Sequence, residues 1–241
     1  MAGFADYEDL AGVDRASRPG AGRGARDEDA TAREAAALTL AEYDRMAEDF
    51  RAGTADHDVS QNIEALLEAI EGAPPHAILD LGCGPGRDLG AFAALGHAAT
   101  GLDGSAALVA MARAVSGCQV LHQDFLELDL PPASFDGIFA NAALFHVPSS
   151  QIARVLAELA AALKPRGVLF CSNPRGNNEE GWVGGRYGCF YDLETWRGHA
   201  AGAGFAELRH YYRPPARPRA QQPWLATVWR KGGATAGSTL R

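Results

Sequence analysis

The sequence predicts a doubly wound α/β fold with a mostly parallel sheet. Strand and helix patterns alternate through the middle of the chain, and the glycine-rich stretch Gly82-Cys83-Gly84-Pro85-Gly86 follows the first predicted strand. Two strand patterns with no helix between them close the chain, which predicts an antiparallel pair at the sheet edge. A hydrophobic content of 47% is ample for one core.

The two ends of the chain lack the large apolar residues that a core requires. Residues 1–36 consist mainly of Ala, Gly, Arg and Asp, and residues 232–241 have a similar composition. Such segments cannot offset their ordering entropy by burial. We therefore expect disordered tails at 1–36 and 232–241, and one globular domain over 37–231.

Two amphipathic helices precede the glycine stretch and form a helical cap over residues 37–72. In each of them apolar residues recur at the i, i+3, i+4, i+7 spacing of one helix face. The two stripes are Tyr43, Met46, Ala47 and Phe50, and then Ile63, Leu66, Leu67 and Ile70.

Strands and helices then alternate to the end of the domain. The predicted strands are Ala77–Leu81, Ala98–Asp103, 118–122, 136–141, 168–173, 205–213 and 223–230. We expect helices over 86–95, after a Ser105 N-cap, along the apolar stripe at 152–163, and over 193–203. The segment 173–189 shows no period and is expected to be irregular.

Composition and charge exclude several classes of protein. The formal net charge of −8 repels polyphosphate backbones, so we do not expect nucleic acid as a partner. The apolar runs fall far short of the roughly 20 residues that span a bilayer. The N-terminal residues contain no apolar signal region, and their many acids are atypical of a mitochondrial presequence. We expect a cytoplasmic protein, monomeric or homodimeric, without membrane contact.

The cysteines and histidines give no sign of a metal or disulfide site. The four cysteines are spread along the chain without a C-x-x-C pair, and no His/Cys cluster has zinc spacing. We interpret the cysteines as reduced, buried small residues and expect no metal.

The glycine stretch predicts a ligand loop that does not hold phosphate. In doubly wound sheets, ligands bind beyond the carboxyl ends of the strands, and glycine lets them approach the backbone. The third glycine comes one residue too early for the dinucleotide fingerprint, and no Lys or Ser/Thr follows as in a P-loop. Asp80, just before the loop, would repel phosphates and suits a cationic ligand such as a sulfonium.

Acidic residues at the next two strand ends suggest a nucleoside. Asp103 in "GLDGS" can accept both ribose hydroxyls, and Asp124 in "HQDFLEL" can accept an adenine amino group while Phe125 lies against the ring. Three acids at three successive strand ends fit an adenosine without phosphates.

These motifs resemble a known family. "ILDLGCGPGRDL", "GLDGS", "HQDFLELDLPPASFDGIFANAALFHVP" and "ALKPRGVLF" resemble the successive motifs of class I S-adenosylmethionine-dependent methyltransferases, of the small-molecule type. The resemblance covers roughly residues 40 to 230. It implies a Rossmann-like, seven-stranded sheet with an antiparallel edge strand, S-adenosyl-L-methionine as cofactor, and transfer of its methyl group to a small molecule.

The resemblance also implies roles for individual residues. The cofactor would contact the residues at the first four strand ends and one tyrosine of the N-terminal cap, which are Gly82, Gly84, Gly86, Asp80, Asp103, Gly104, Asp124, Phe125, Asn141 and Tyr43. Ordinary packing is the alternative for Phe125 and Tyr43, a strand-end cap for Asp103, and a structural loop acid for Asp80.

Two histidines are candidates for catalysis. His146 in "ANAALFHVP" follows the fourth strand end and is either a base or acceptor contact, or part of a hydrogen-bonded wall. His57 in "TADHDVSQN" lies between two acids, which would hold one tautomer and raise its pKa. The alternative for that stretch is a set of helix caps.

Residues 173–191 form a candidate lid over the acceptor. The segment combines glycines with Arg175, Trp182, Arg186 and Tyr187. The two arginines together can grip a carboxylate, such as that of an amino-acid-like acceptor. A solvated lid held by structural salt bridges is the alternative. The basic run Arg209, Arg213, Arg217, Arg219 fits a solvated edge or a second acceptor clamp better than an RNA-binding surface.

Two other functions stay open on the residues alone. A cofactor-binding regulatory subunit without catalysis would keep the same motifs. A nicotinamide-dependent oxidoreductase would need the third glycine one residue later.

Overall fold

The computed structural model describes residues 14–15 and 25–232. Its main sheet has seven strands in the order β4-β3-β2-β5-β6-β10-β9. These strands are β2 Ala77–Leu81, β3 Ala98–Asp103, β4 Gln119–His122, β5 Phe135–Asn141, β6 Leu163–Pro174, β9 Phe205–Arg213 and β10 Trp224–Lys231. The helices are α1 Ala25–Arg45, α2 Ala47–Thr54, α3 Ser60–Leu67, α4 Arg87–Ala94, α5 Ala106–Ser116, α6 Ile152–Ala162 and α7 Leu193–Gly202.

The register of the sheet confirms the predicted doubly wound topology. β2 pairs in parallel with β3 on one side and with β5 on the other, so strand order reverses beside β2. β10 runs antiparallel to both β6 and β9, which confirms the antiparallel pair at the C-terminal edge. The reversal beside β2 is the point at which such sheets bind ligands.

Both faces of the sheet are covered because successive strand residues point to opposite sides. Ile78 and Phe139 pack with α3 on one face, and Leu79 and Ile138 pack with α6 on the other. All four side chains are fully buried. A near-continuous apolar strand such as β5 therefore follows from a sheet that is buried on both sides.

The expected tail over 1–36 is wrong for residues 25–36, which belong to α1. Ala32, Ala35 and Ala36 are buried at helical spacing, and Ala32 and Ala36 join the core beside the sheet. Alanine is the strongest helix former and needs little room, so a helix can pack here without large apolar residues. The expected tails at 1–13, 16–24 and 233–241 lie outside the described residues.

The segment expected to be irregular forms a hairpin instead. β7 Glu179–Val183 pairs antiparallel with β8 Arg186–Phe190, and the short β1 Asp14–Arg15 pairs with β7. Gly184 and Gly185 have φ values of 55° and 77°, and positive φ at both turn positions matches the twist of a two-residue hairpin. Val183 and Phe190 then bury against Phe145.

Two smaller expectations concern helix caps and thiols. Ser105 caps α5, because its side chain accepts the N–H of Leu108 at 3.2 Å. All four cysteines are free thiols, and three of them are buried, as expected. No helix in the described part of the chain is long and apolar enough to cross a membrane.

Candidate active site

A cavity of about 660 Å³ lies at the carboxyl ends of β2, β3, β4 and β5, beneath α1 and α2. Seven of the residues expected to bind the cofactor line it, namely Tyr43, Gly82, Gly84, Asp103, Gly104, Asp124 and Phe125. His146 also lines it.

The glycine loop requires glycine for two different reasons. Gly82 and Gly84 have φ values of 72° and 52°, a region that other residues adopt only with strain. A β-carbon on Gly82 would lie 2.7 Å from that of Ala143 across the cavity floor. Gly86 has φ 92° and caps α4 behind the loop, where a β-carbon would meet the Ala112 backbone at 2.8 Å. The structure therefore gives Gly86 a packing role outside the cavity lining.

Asp103 joins the glycine loop to the start of α5. One carboxylate oxygen accepts the N–H of Gly84 and the other accepts that of Ser105, both at 2.9 Å. Each oxygen keeps a second acceptor position, because a carboxylate offers about four. Burial raises the pKa of Asp103, while the backbone N–H groups at Ser105 and Gly84 oppose that shift.

Asp124 and Phe125 form the far wall of the cavity. Asp124 accepts the N–H of Leu126 at 2.8 Å, which holds its carboxylate at the end of β4. Phe125 lies against the loop, since a β-carbon on Gly82 would be 3.2 Å from its ring. Gly104 lies equally close to α1, where an added β-carbon would meet Leu40 at 2.6 Å.

Asp80 is buried beneath the loop and outside the cavity lining. Desolvation raises its pKa well above the usual range, and the charge of Asp88 adds to this effect, while Arg87 opposes it. Any influence of Asp80 on a ligand therefore acts through the loop or through its charge.

Asn141 belongs to a chain of polar side chains at the end of β5. Tyr211 donates to Asn62 at 2.8 Å, Asn62 donates to Asn141 at 2.9 Å, and Asn141 donates to Asp88 at 3.2 Å. Asn62 is fully buried, so these bonds satisfy groups that would otherwise be costly to bury. Asn141 lines a second cavity and is absent from the lining of the first.

Tyr43 and His146 meet over the first cavity. His146 Nδ1 donates to the backbone carbonyl of Tyr187 at 2.6 Å, because that oxygen can only accept. The other ring nitrogen, Nε2, then accepts the hydroxyl of Tyr43 at 2.8 Å. Burial lowers the pKa of His146 to about 3, and the Arg186 charge contributes, so the ring is neutral at neutral pH.

The hairpin β7–β8 holds this pair from outside. Arg186 is only 1% exposed and its guanidinium lies 5.4 Å from the centre of the Tyr43 ring. The Tyr187 N–H donates to Thr39 on α1 at 2.9 Å. Tyr187 therefore acts through its backbone, and burial raises the pKa of its hydroxyl.

Arg175 and Trp182 lie away from the first cavity. Arg175 donates to the backbone oxygen of Arg219 at 3.2 Å and lies 6.0 Å from the Tyr212 ring, at the edge formed by β9 and β10. Arg186 is buried beside Tyr43, so the two arginines expected to grip one carboxylate have separate partners. Trp182 lines a surface groove beside α1.

A second cavity, of about 770 Å³, shares one lining residue with the first. Ala142 lines both cavities. Its φ is 58°, and its N–H donates to the backbone oxygen of Ser172 at 2.8 Å. The other lining residues come from the α2–α3 connection and the ends of β5, β6, β9 and β10, and they are His57, Asp58, Val59, Asn141, Ser172, Arg213, Pro214 and Trp224. Both histidines predicted as catalytic candidates therefore line a cavity, His146 the first and His57 the second.

Sequence reasoning missed several residues that build this site. Phe50, Thr39 and Leu40 close the first cavity from the helices, although Phe50 was part of a stripe interpreted as packing. Asp44 accepts the Ser105 hydroxyl at 2.6 Å and ties α1 to α5. Within the described residues, no cluster of His, Cys, Asp and Glu can hold a metal ion.

Comparison with known proteins agrees with this geometry. Residues 78–167 match the family model of a methyltransferase domain. An uncharacterized methyltransferase of Mycobacterium tuberculosis is 32% identical over 109 residues, which are 44% of this chain and 54% of that protein. The chain therefore spans about half the length of this relative. The trans-aconitate 2-methyltransferase of Escherichia coli is 37% identical over 100 residues, 40% of this chain and 38% of that protein.

A solved structure shows the same fold. The 1,6-didemethyltoxoflavin-N1-methyltransferase of Burkholderia thailandensis, with bound S-adenosylhomocysteine, superimposes with a TM-score of 0.69 at 23% identity, covering 83% of this chain and 90% of that one. The matched residues contain the glycine loop and the strand-end acids, so this part of the chain matches a methyltransferase domain, and the described structure has the fold of class I S-adenosylmethionine-dependent methyltransferases.

Proposed function

We propose that this protein transfers the methyl group of S-adenosylmethionine to a small-molecule acceptor, with the cofactor in the first cavity. The observation that carries the proposal is Asp103, whose two oxygens are fixed by the loop and by α5 and still face the cavity. A nucleoside diol can donate to the two remaining acceptor positions. The fold neighbour with bound S-adenosylhomocysteine supports the same ligand.

The remaining lining suits the rest of the cofactor. Asp124 supplies an acceptor for the adenine amino group, and Phe125 and Leu108 supply apolar surface for the ring. The carboxylates of Asp103 and Asp124 line the cavity, which disfavours a pyrophosphate and favours a ligand with a cationic sulfur. This charge distribution argues against a nicotinamide dinucleotide.

Methyl transfer demands little covalent chemistry from the protein. The acceptor atom forms a bond to the methyl carbon while the carbon–sulfur bond breaks, and its electron pair leaves sulfur as a neutral thioether. The enzyme must hold the reacting atoms about 3 to 3.5 Å apart and exclude water. Closure of the first cavity by α1 and α2 supports that role.

His146 is better suited to position Tyr43 than to remove a proton. An effective base has a pKa near the working pH, whereas that of His146 is about 3. Protonating it at pH 7 would cost about 5 kcal/mol. An acceptor that is already ionised needs no base, and the name of the trans-aconitate enzyme supports a carboxylate-bearing acceptor here.

Two measurements test the proposal. Calorimetric titration with S-adenosylhomocysteine should give saturable binding, and titration with NAD⁺ should give none. Incubation with isotopically labelled S-adenosylmethionine and an extract of small metabolites should then transfer label to a low-mass product. Tight cofactor binding without any labelled product would favour a non-catalytic regulatory subunit, and the absence of cofactor binding would refute the proposal.

A further inference from the structure

The second cavity combines an apolar body with a cationic end. Ala142, Val59, Pro214 and Trp224 supply apolar and aromatic surface, while Arg213 supplies the positive charge. Trp224 is directly paired with Arg213 on the neighbouring strand, so their side chains point to the same face of the sheet. An aromatic plane beside a guanidinium fits a flat ligand with one anionic group.

Arg213 retains hydrogen-bonding capacity at this end of the cavity. Its Nη2 donates to the backbone oxygen of Asp58 at 2.6 Å, which fixes the guanidinium. Its Nε is buried and has no hydrogen-bond partner among the described residues. A carboxylate is the group that best matches the planar donors of arginine.

The charges around Arg213 also favour an anion. The segment from the end of β9 to residue 219 contains Arg213, Arg217 and Arg219 with no acid between them, in a chain of net charge −8. Asp58 is the acid in the lining, and its carboxylate already accepts the N–H of Ser60 at 2.9 Å. The Ser60 N–H and, to a smaller extent, the charge of Arg213 lower the pKa of Asp58, so the excess positive charge that favours an anion at this end comes from Arg217 and Arg219.

The position of the cavity relates this anion site to the first cavity. Asn141 and Ala142 form one part of the wall at the end of β5, and Ala142 lines both cavities. Trp224 lies on β10, two strands from β5 in the sheet order, and Arg213 lies on β9, three strands from β5. A ligand gripped by Arg213 thus extends across the ends of these strands toward Ala142.

We propose that the second cavity is the acceptor site, that it takes a planar carboxylate, and that Arg213 and Trp224 determine this specificity. The inference rests on the proposed function. It replaces the expected clamp of Arg175 and Arg186, because Arg213 lines this cavity and those two arginines do not.

The test uses the indole N–H signals of the protein's four tryptophans, Trp182, Trp196, Trp224 and Trp229. The full chain is saturated with S-adenosylhomocysteine and titrated with cinnamate, and with cinnamamide as the uncharged isostere. The Trp224 signal, assigned from a Trp224→Phe variant, should shift with cinnamate and remain in place with cinnamamide. Trp196 and Trp229 are buried in the core and serve as internal references.

Variants of the basic loop separate specific binding from general charge. Arg213→Gln should weaken cinnamate binding at least tenfold, and Arg213→Lys should recover part of the loss. Arg217→Gln, an equal change of charge on an exposed neighbour outside the cavity lining, should leave binding unchanged. Equal binding of cinnamate and cinnamamide, or equal loss in both Gln variants, would overturn the proposal.

Cofactor binding distinguishes the two proposals. If S-adenosylhomocysteine binds but cinnamate leaves the Trp224 signal in place, the acceptor inference fails and the proposed function stands. If S-adenosylhomocysteine itself does not bind, the proposed function fails first.

Discussion

Replacement of Asp103 by alanine is the most direct perturbation of the cavity proposed to hold the cofactor. The carboxylate is 8% exposed, and each oxygen already accepts one backbone N–H at 2.9 Å. The acceptor positions left over are the ones we assign to the ribose hydroxyls. The alanine variant removes these contacts and also leaves the N–H of Gly84 without its partner.

The expected loss of binding follows from these contacts. A hydrogen bond to a charged group contributes about 1.5–3 kcal/mol, which corresponds to a roughly 12- to 150-fold higher Kd for S-adenosylhomocysteine. Burial raises the pKa of Asp103, so the ionised form that accepts two hydroxyls is lost as pH falls. Binding to the native protein should therefore weaken toward acidic pH, and this dependence should diminish in the variant.

Isothermal titration calorimetry measures both effects, with Asp129→Ala as the matched control. Asp129 is an exposed acid on the segment after β4, and it lies outside both cavities. Circular dichroism establishes that each variant is folded. A folded Asp103→Ala protein with a Kd within twofold of the native value would remove Asp103 from the cofactor site.

Four further changes have defined outcomes. Gly82→Ala forces a residue with a β-carbon to φ 72° and to a 2.7 Å contact with Ala143. It should therefore lower the free energy of unfolding, measured by denaturant titration, by about 1–3 kcal/mol and weaken cofactor binding. The control Gly90→Ala, in open space on α4, should raise that free energy by about 0.5–1 kcal/mol. Tyr43→Phe removes the bond to His146 and should lower kcat with little loss of fold, and an unchanged kcat would exclude the positioning role. Asp80→Asn removes a carboxyl whose pKa is raised by burial. The melting temperature at pH 7 should therefore rise, by about 2–4 °C for each kcal/mol of added stability. A lower melting temperature would contradict the argument that the buried charge is costly. The pKa of His146 is about 3 in the folded protein, below its unfolded value of 6.5. The stability that the neutral ring contributes is therefore full above pH 6.5 and is lost as pH falls toward 3. A His146→Gln variant should lose less stability than the native protein over this range.

Patterns in the sequence predicted the local architecture well. The bounds of β2 and β3 agree with the apolar runs that define them, and the Ser105 cap forms as expected. The failures have identifiable causes. The start of α1 was missed because buried alanines contribute little hydrophobic pattern. The hairpin was missed because the segment around its Gly184-Gly185 turn shows no period.

The candidate site divides in the same way. Asp103, Asp124 and the first two loop glycines were predictable, because the carboxyl ends of parallel strands lie side by side at one edge of the sheet. The partners of Arg175 and Arg186 were not predictable. Both follow β6 in sequence, yet one packs at the sheet edge and the other beneath Tyr43.

The sequence by itself determined the order of strands and helices, the glycine loop and the acids at the strand ends, because these depend on residue type and on spacing within a single element. Only the tertiary structure decided that Tyr43 meets His146, that Asn62 supports Asn141, and that Arg213 and Trp224 line the cavity next to the first. Such contacts join residues far apart along the chain, and the packing of helices and strands against one another determines which side chains face a shared space.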